Sequence, residues 1–168
     1  MQINASRKRK NTQRGNAMLE GTAVILLMFG LMFLLIDLGL ALFAKSTLQE
    51  AVQAGVRFAV TDRLGSGQAY LNDSIVQVVQ QNSLGMLNGA NGACQISINY
   101  RNPVTGQPSN GAGGDVVEVS VVGYTYAPIG ILKSASPIAI TASSSDVLEE
   151  CPLGGCPPVA NPTPASCP

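Results

Sequence analysis

The chain has 168 residues, ten of them basic and ten acidic, with no histidine and no tryptophan. That length holds one anchor segment and one small folded domain. Without histidine the most frequent general base is missing, and no Gly-x-Ser-x-Gly elbow or phosphate-binding loop is present, so the composition argues against an enzyme.

The charge is unevenly spread. Arg7, Lys8, Arg9, Lys10 and Arg14 hold half of the basic charge, and no acidic residue precedes Glu20. Such a basic end suits either a nucleic-acid arm or a membrane-topology signal. The next stretch decides between them. Gly21 to Ile36 carries no charge, and after Asp37 the apolar run continues to Ala44. As a helix, Gly21 to Ala44 covers roughly 36 Å, enough to cross the ~30 Å hydrocarbon core. The basic leader, residues 1–15, is then a cytoplasmic flank, with the amino terminus inside and the rest of the chain outside. Nucleic acid is not an expected partner.

The transmembrane segment, residues 16–44, passes without a breaker into an amphipathic stretch. Leu48, Val52, Val56 and Val60 recur at helical spacing, and Ala51, Gly55 and Ala59 form a second row beside them. One helix from about Asn16 to about Asp62 is expected, ending at Leu64–Gly67. The row of small residues permits close approach by another element, most simply the chain's own sheet. A shorter helix is expected at 69–83, with Leu71, Ile75, Val78 and Val79 on one face.

Asn88–Gly92 has turn chemistry. The period then changes to two at Gln95–Tyr100, at Val117–Val121 and, more weakly, at Pro137–Thr141. These are expected strands of a small antiparallel sheet. Pro103–Gly114 is the loop between the first two. Gly111–Gly114 precedes a strand rather than a helix, so it is not a phosphate cradle. Asp115 and Glu118 are expected at a strand start and on an exposed strand face. The fold class is α+β, with residues 45–150 as the extracytoplasmic domain and 151–168 as a Cys/Pro-rich tail.

Cys94, Cys151, Cys156 and Cys167 all follow the span, on the oxidising side if the amino end is inside. Four cysteines suit two disulfides in any of three pairings. A metal site is disfavoured, because no Cys-x-x-Cys and no histidine are available. No cofactor and no small-molecule substrate are indicated.

The junction between leader and anchor reads Arg14-Gly15-Asn16-Ala17-Met18-Leu19-Glu20. A carboxylate beside a bilayer core is unfavourable, so Glu20 either reaches the interface or finds a partner. The same choice applies to Asp37, seventeen residues later in the sequence. It reaches water at the outer face or makes a polar contact with a partner helix.

Arg14 to Val60 resembles the amino-terminal region of the TadE-like family of minor pilins. The elements that carry the resemblance are Arg14-Gly15, Glu20, Asp37-Leu38-Gly39, Leu48-Gln49-Glu50-Ala51 and Gly55-Val56-Arg57. Gln53 and Val56 depart from the family, where arginine and alanine are more usual. The resemblance implies a pilin-like subunit of a bacterial Tad/Flp-type pilus apparatus, anchored in the inner membrane. It implies that a prepilin peptidase cuts after Gly15, leaving Asn16 as the new amino terminus. Glu20 then pairs with the free amine of a neighbouring subunit. Other pilus subunits and assembly-platform proteins are the implied partners. Two other fates are an uncleaved signal-anchor with an extracytoplasmic binding domain, and release by signal peptidase after Ala44. The latter has the wrong residue, Leu42, where a small one is preferred.

Overall fold

The computed structural model describes residues 12–61, 64–65, 67–128, 137–150 and 158–159, with 12–16 as backbone alone. The leader up to residue 11 and the cysteines at 151, 156 and 167 lie outside the described residues. The chain divides into two compact units. One comprises Met1–Leu40 and Ala127–Ser136, the other Ala41–Tyr126 and Pro137–Pro168.

The element order is α1 (Thr12–Val60), α2 (Leu71–Asn82), α3 (Gly89–Cys94), β1 (Ile96–Arg101), β2 (Val116–Tyr126) and β3 (Ile138–Val147). This is the expected α+β arrangement, with a three-stranded antiparallel sheet in the order β1-β2-β3. α1 starts before Asn16 and runs through Gly15 without a break. An interior glycine weakens a helix by about 1 kcal/mol relative to alanine, which is not enough to stop one of this length.

In the second unit, α1 is amphipathic in the ordinary sense. Ala44, Leu48, Val52, Val56, Ala51 and Ala59 are buried, whereas Lys45, Ser46, Glu50, Gln53 and Arg57 are exposed. The small-residue row has a specific occupant. A Cβ on Gly55 would lie 2.5 Å from Val79 Cγ2 and 3.5 Å from Ile75 Cγ2, so Gly55 faces α2, not the sheet expected from the sequence. The spacing allowed either answer; the apolar face of α2 supplies it. Leu71, Ile75 and Val79 are completely buried there, and Val78 is half-buried. The sheet meets α1 elsewhere, where the Gln49 Nε2 donates to the Ser143 carbonyl of β3 at 2.8 Å.

The sheet buries one face. Ile96, Ile98 and Tyr100 of β1 stand opposite Val121, Val119 and Val117 of β2, the last three fully buried. β2 runs past the expected end at Val121. Its pairing jumps from Val121↔Ala142 to Tyr124↔Ile140, which inserts one extra residue as a β-bulge, and Gly123 takes φ +82° there. β3 likewise runs beyond Thr141, through Ser143–Ser145 to Val147. Serine is a poor strand signal, yet pairing along β2 secures this edge strand.

The Asn88–Gly92 segment corrects the sequence reading, because Gly89–Cys94 forms a helical turn and a half rather than a simple turn. Asn88 is extended, Gly89 is left-handed at φ +71°, and the Gly89 carbonyl accepts from Gln80 Nε2. Gly92 is pressed on the backbone of Leu87, where a Cβ would come within 2.1 Å of the carbonyl. Glycine here gives the backbone close approach as well as a turn.

Gly55→Val is expected to lower stability by about 1–3 kcal/mol through overpacking against α2. Chemical unfolding in detergent measures it, and adding Val79→Ala is expected to restore part of the loss.

Candidate functional site

The first unit holds the amino-terminal part of α1, and its surface is inverted relative to a soluble protein. From Met18 to Ile36 the large apolar side chains are exposed, Leu26 to 75 %. Contiguous exposed apolar surface of this extent does not persist in water. The helix is long and apolar enough to cross a membrane, and only 6 % of its apolar window is buried within the protein. A core helix of a soluble protein would be mostly buried. This one therefore presents its side chains to another medium.

Polar groups punctuate the stretch. Thr22 Oγ1 donates back to the Met18 carbonyl at 2.8 Å, which satisfies a hydroxyl locally in an apolar setting. Glu20 is exposed on the same helix. Gly15 and Asn16 lie in the opening turns of α1. Asp37, about 25 Å further along the axis than Glu20, behaves differently. It is 4 % exposed and has an interaction partner, so it does not reach water as a boundary carboxylate would. Of the two expectations for Asp37, the one in which it reaches water does not fit this burial. Its burial among exposed neighbours Ile36 and Leu38 marks it as a structural contact.

Ala51, Gly55 and Ala59, the other residues singled out for helix contact, are all buried in the second unit by the chain's own elements. They are not available to a neighbouring subunit. The opposite face of α1 is open. Ser46, Gln49, Glu50, Gln53, Ala54 and Arg57 line a shallow groove of about 480 Å³ together with Asn82. Cys94 is disulfide-bonded, with its partner sulfur outside the described residues.

Among the described residues no three His, Cys, Asp or Glu side chains gather as a metal site would require. The polar clusters that do form are structural. Asp115, expected simply at a strand start, is buried, and its carboxylate accepts from the Ser109 hydroxyl and from the Ala112 N–H at 2.7 Å. The Asp115 carbonyl takes the Leu148 N–H, and Leu148 takes the Gly114 N–H. The carboxylate thus ties the β1–β2 loop to itself, and the backbone of Gly114 and Asp115 ties it to Leu148, just after β3. Glu118 lies 3.9 Å from Arg101 across the β1–β2 pair, both partly exposed, which is a weak surface pair. Neither acid faces the other's chemistry. A further pair escaped the sequence reading: Tyr100 Oη donates to Asn72 Oδ1 at 2.6 Å in the interior. Tyr100 was legible as a strand residue, but nothing in the sequence linked it to the second position of α2.

Residues 15–57 match the family model described as TadE-like protein. The match lies wholly within α1. Neither a curated protein nor a solved structure matches the chain.

Tyr100→Phe is expected to cost about 1–3 kcal/mol, because it deprives a buried carbonyl oxygen of its donor. The midpoint of urea unfolding in detergent measures the effect.

Proposed function

We propose, from the TadE-like match over residues 15–57, that the chain is a minor pilin or pseudopilin of a Tad/Flp-type pilus assembly apparatus. The observation that carries this reading is a coincidence of place. The matched stretch is one uninterrupted helix with an exposed apolar surface and a carboxylate, Glu20, close to its start.

The chemistry follows from that layout. In its native setting α1 is inserted in the inner membrane, with the basic leader retained in the cytoplasm and the α+β unit outside. A prepilin peptidase cuts the peptide bond after Gly15. Glycine has no side chain to obstruct the protease, and it weakens the helical turn that has to open for the cut. Asn16 then carries a new ammonium group, and Glu20 is its fifth-residue carboxylate. In an apolar surrounding these opposite charges attract far more strongly than in water, so Glu20 of one subunit takes the Asn16 ammonium of the next. That contact sets the axial register of subunits, while the exposed apolar side chains of α1 pack against neighbouring helices. Prepilin peptidase, other pilus subunits and assembly-platform proteins are the partners in this scheme. The chain has no catalytic role of its own.

Two observations bear on the competing fates. A cut after Ala44 would sever α1 just where Ala44, Thr47 and Leu48 begin to enter the core. An uncleaved anchor would leave the basic leader attached and Asn16 without a free amine.

Sequencing of the mature amino terminus, from membranes of the native host, is expected to begin at Asn16. A terminus at Lys45 would identify a secreted domain, and one at Met1 or Gln2 an uncleaved anchor. Gly15→Val is expected to retain the leader, visible as a larger mature mass. Glu20→Ala is expected to be cut normally but to drop out of sheared pilus fractions; normal incorporation would remove the pairing role.

A further inference from the structure

Asparagine precedes glycine at Asn88-Gly89, Asn91-Gly92 and Asn110-Gly111. In this pairing the glycine nitrogen meets no side chain of its own residue when it turns on the asparagine carboxamide, so asparagine is at its least durable there. The fold treats the three pairs differently. Gly92 is the fourth residue of α3, where a helix engages its N–H, and it is buried with its backbone pressed on Leu87. Gly111 is buried too, and a Cβ there would stand 3.0 Å from the Tyr100 ring. Neither nitrogen can swing toward its neighbour without moving the core. Asn88 and Gly89, by contrast, are both exposed.

The backbone at this pair is also outside the helix. Asn88 is extended, at φ −75° and ψ 147°, and its carboxamide caps nothing. Gly89 opens α3, where an N–H has no acceptor within the helix. It is left-handed at φ +71°, with nothing within 4 Å of the place a Cβ would take. The tie at Gly89 is on its carbonyl, which accepts from Gln80 Nε2 at 2.9 Å and leaves the nitrogen untouched.

We propose that Asn88 is a site of spontaneous covalent modification, the one of the three pairs that the fold leaves chemically open. The Gly89 nitrogen bonds to Cγ of Asn88, the Cγ–Nδ2 bond breaks, and the Gly89 proton departs with the amide nitrogen as ammonia. Water, the sole co-reactant, then opens the cyclic imide at one carbonyl or the other, leaving aspartate or isoaspartate. Either product puts a carboxylate in place of a neutral group on the exposed connection between α2 and α3. Isoaspartate also lengthens the main chain by one atom between Leu87 and Gly92, whose backbones are in close contact. Loss of that contact and of the Gln80 bond loosens α3, while Leu71, Ile75 and Val79 of α2 keep their place in the core. This site is separate from the subunit-assembly reading and stands whether or not Gly15 is a cleavage site.

Peptide mapping by mass spectrometry tests it, on the full chain held in detergent micelles in mildly alkaline buffer and sampled over time. Conversion at Asn88 is expected to run about tenfold or more ahead of Asn91 and Asn110, because those two react only through local opening. In the chain reduced and unfolded in urea, the three are expected to agree within about threefold, since local sequence alone then sets the rate. Equal rates in the folded chain overturn the proposal, as does faster conversion at Asn91 or Asn110. An Asn88 that reacts in urea but stays intact in the folded chain also overturns it, because the fold would then protect that bond. Asn88→Gln, whose longer side chain closes the corresponding ring far more slowly, is expected to abolish most of the acidic species seen on isoelectric focusing; an undiminished acidic species contradicts the assignment.

Discussion

A single helix has to satisfy two media, and the rest of the molecule is arranged around that demand. From Met18 to Ile36 its apolar side chains project outward on all sides, while from Ala44 onward only one face is apolar, and that face is buried. Backbone hydrogen bonds are satisfied within the helix in both regimes, so continuity carries no penalty at the change of medium. The change has to come from side chains alone. Asp37, buried and partnered, stands seven residues before the first buried core residue, Ala44.

Close approach is what lets so small a unit form a core. Gly55 admits Val79 of α2 to a distance that no side chain at 55 would tolerate, and Gly92 does the same for the backbone at Leu87. Ala51 and Ala59, one helical turn either side on α1, are fully buried as well. Larger residues at these places would hold the helices apart, and Leu48, Val52, Leu71 and Ile75 would lose the enclosure that makes them fully buried. The sheet adds Val117, Val119 and Val121 to the same core. Polar groups complete the closure where backbone would otherwise lack partners, through Asp115 at the β1–β2 loop and Gln49 at the edge of β3.

How far the sequence disclosed this depended on periodicity. α1 and α2 were legible because leucine and valine repeat at helical spacing over many residues, and β1 because its alternation is strict. The ends of β2 and β3 were not. A bulge at Val122–Gly123 broke the alternation of one, and a serine run concealed the other, although both strands continue through pairing with their neighbours. For the candidate site, the long apolar helix was readable as a linear pattern, and the TadE-like match covers the same stretch. The use of Gly55 against α2, the burial of Asp37 and the Tyr100–Asn72 bond depend on residues distant in the chain. Local pattern carries no information about such meetings.

The bulge in β2 has a consequence of parity. Before it, odd-numbered residues (Val117, Val119, Val121) point into the core; after it, Tyr124 and Tyr126 are the more enclosed ones, with Thr125 exposed. One surplus residue thus reverses which half of the sequence numbering faces inward. Deleting Gly123 would leave one residue between Val121↔Ala142 and Tyr124↔Ile140 on each strand, so the pairing becomes regular and both tyrosines keep their side. The surplus residue sits at φ +82°, so a side chain at 123 is strained where the loss of the residue is absorbed by the pairing.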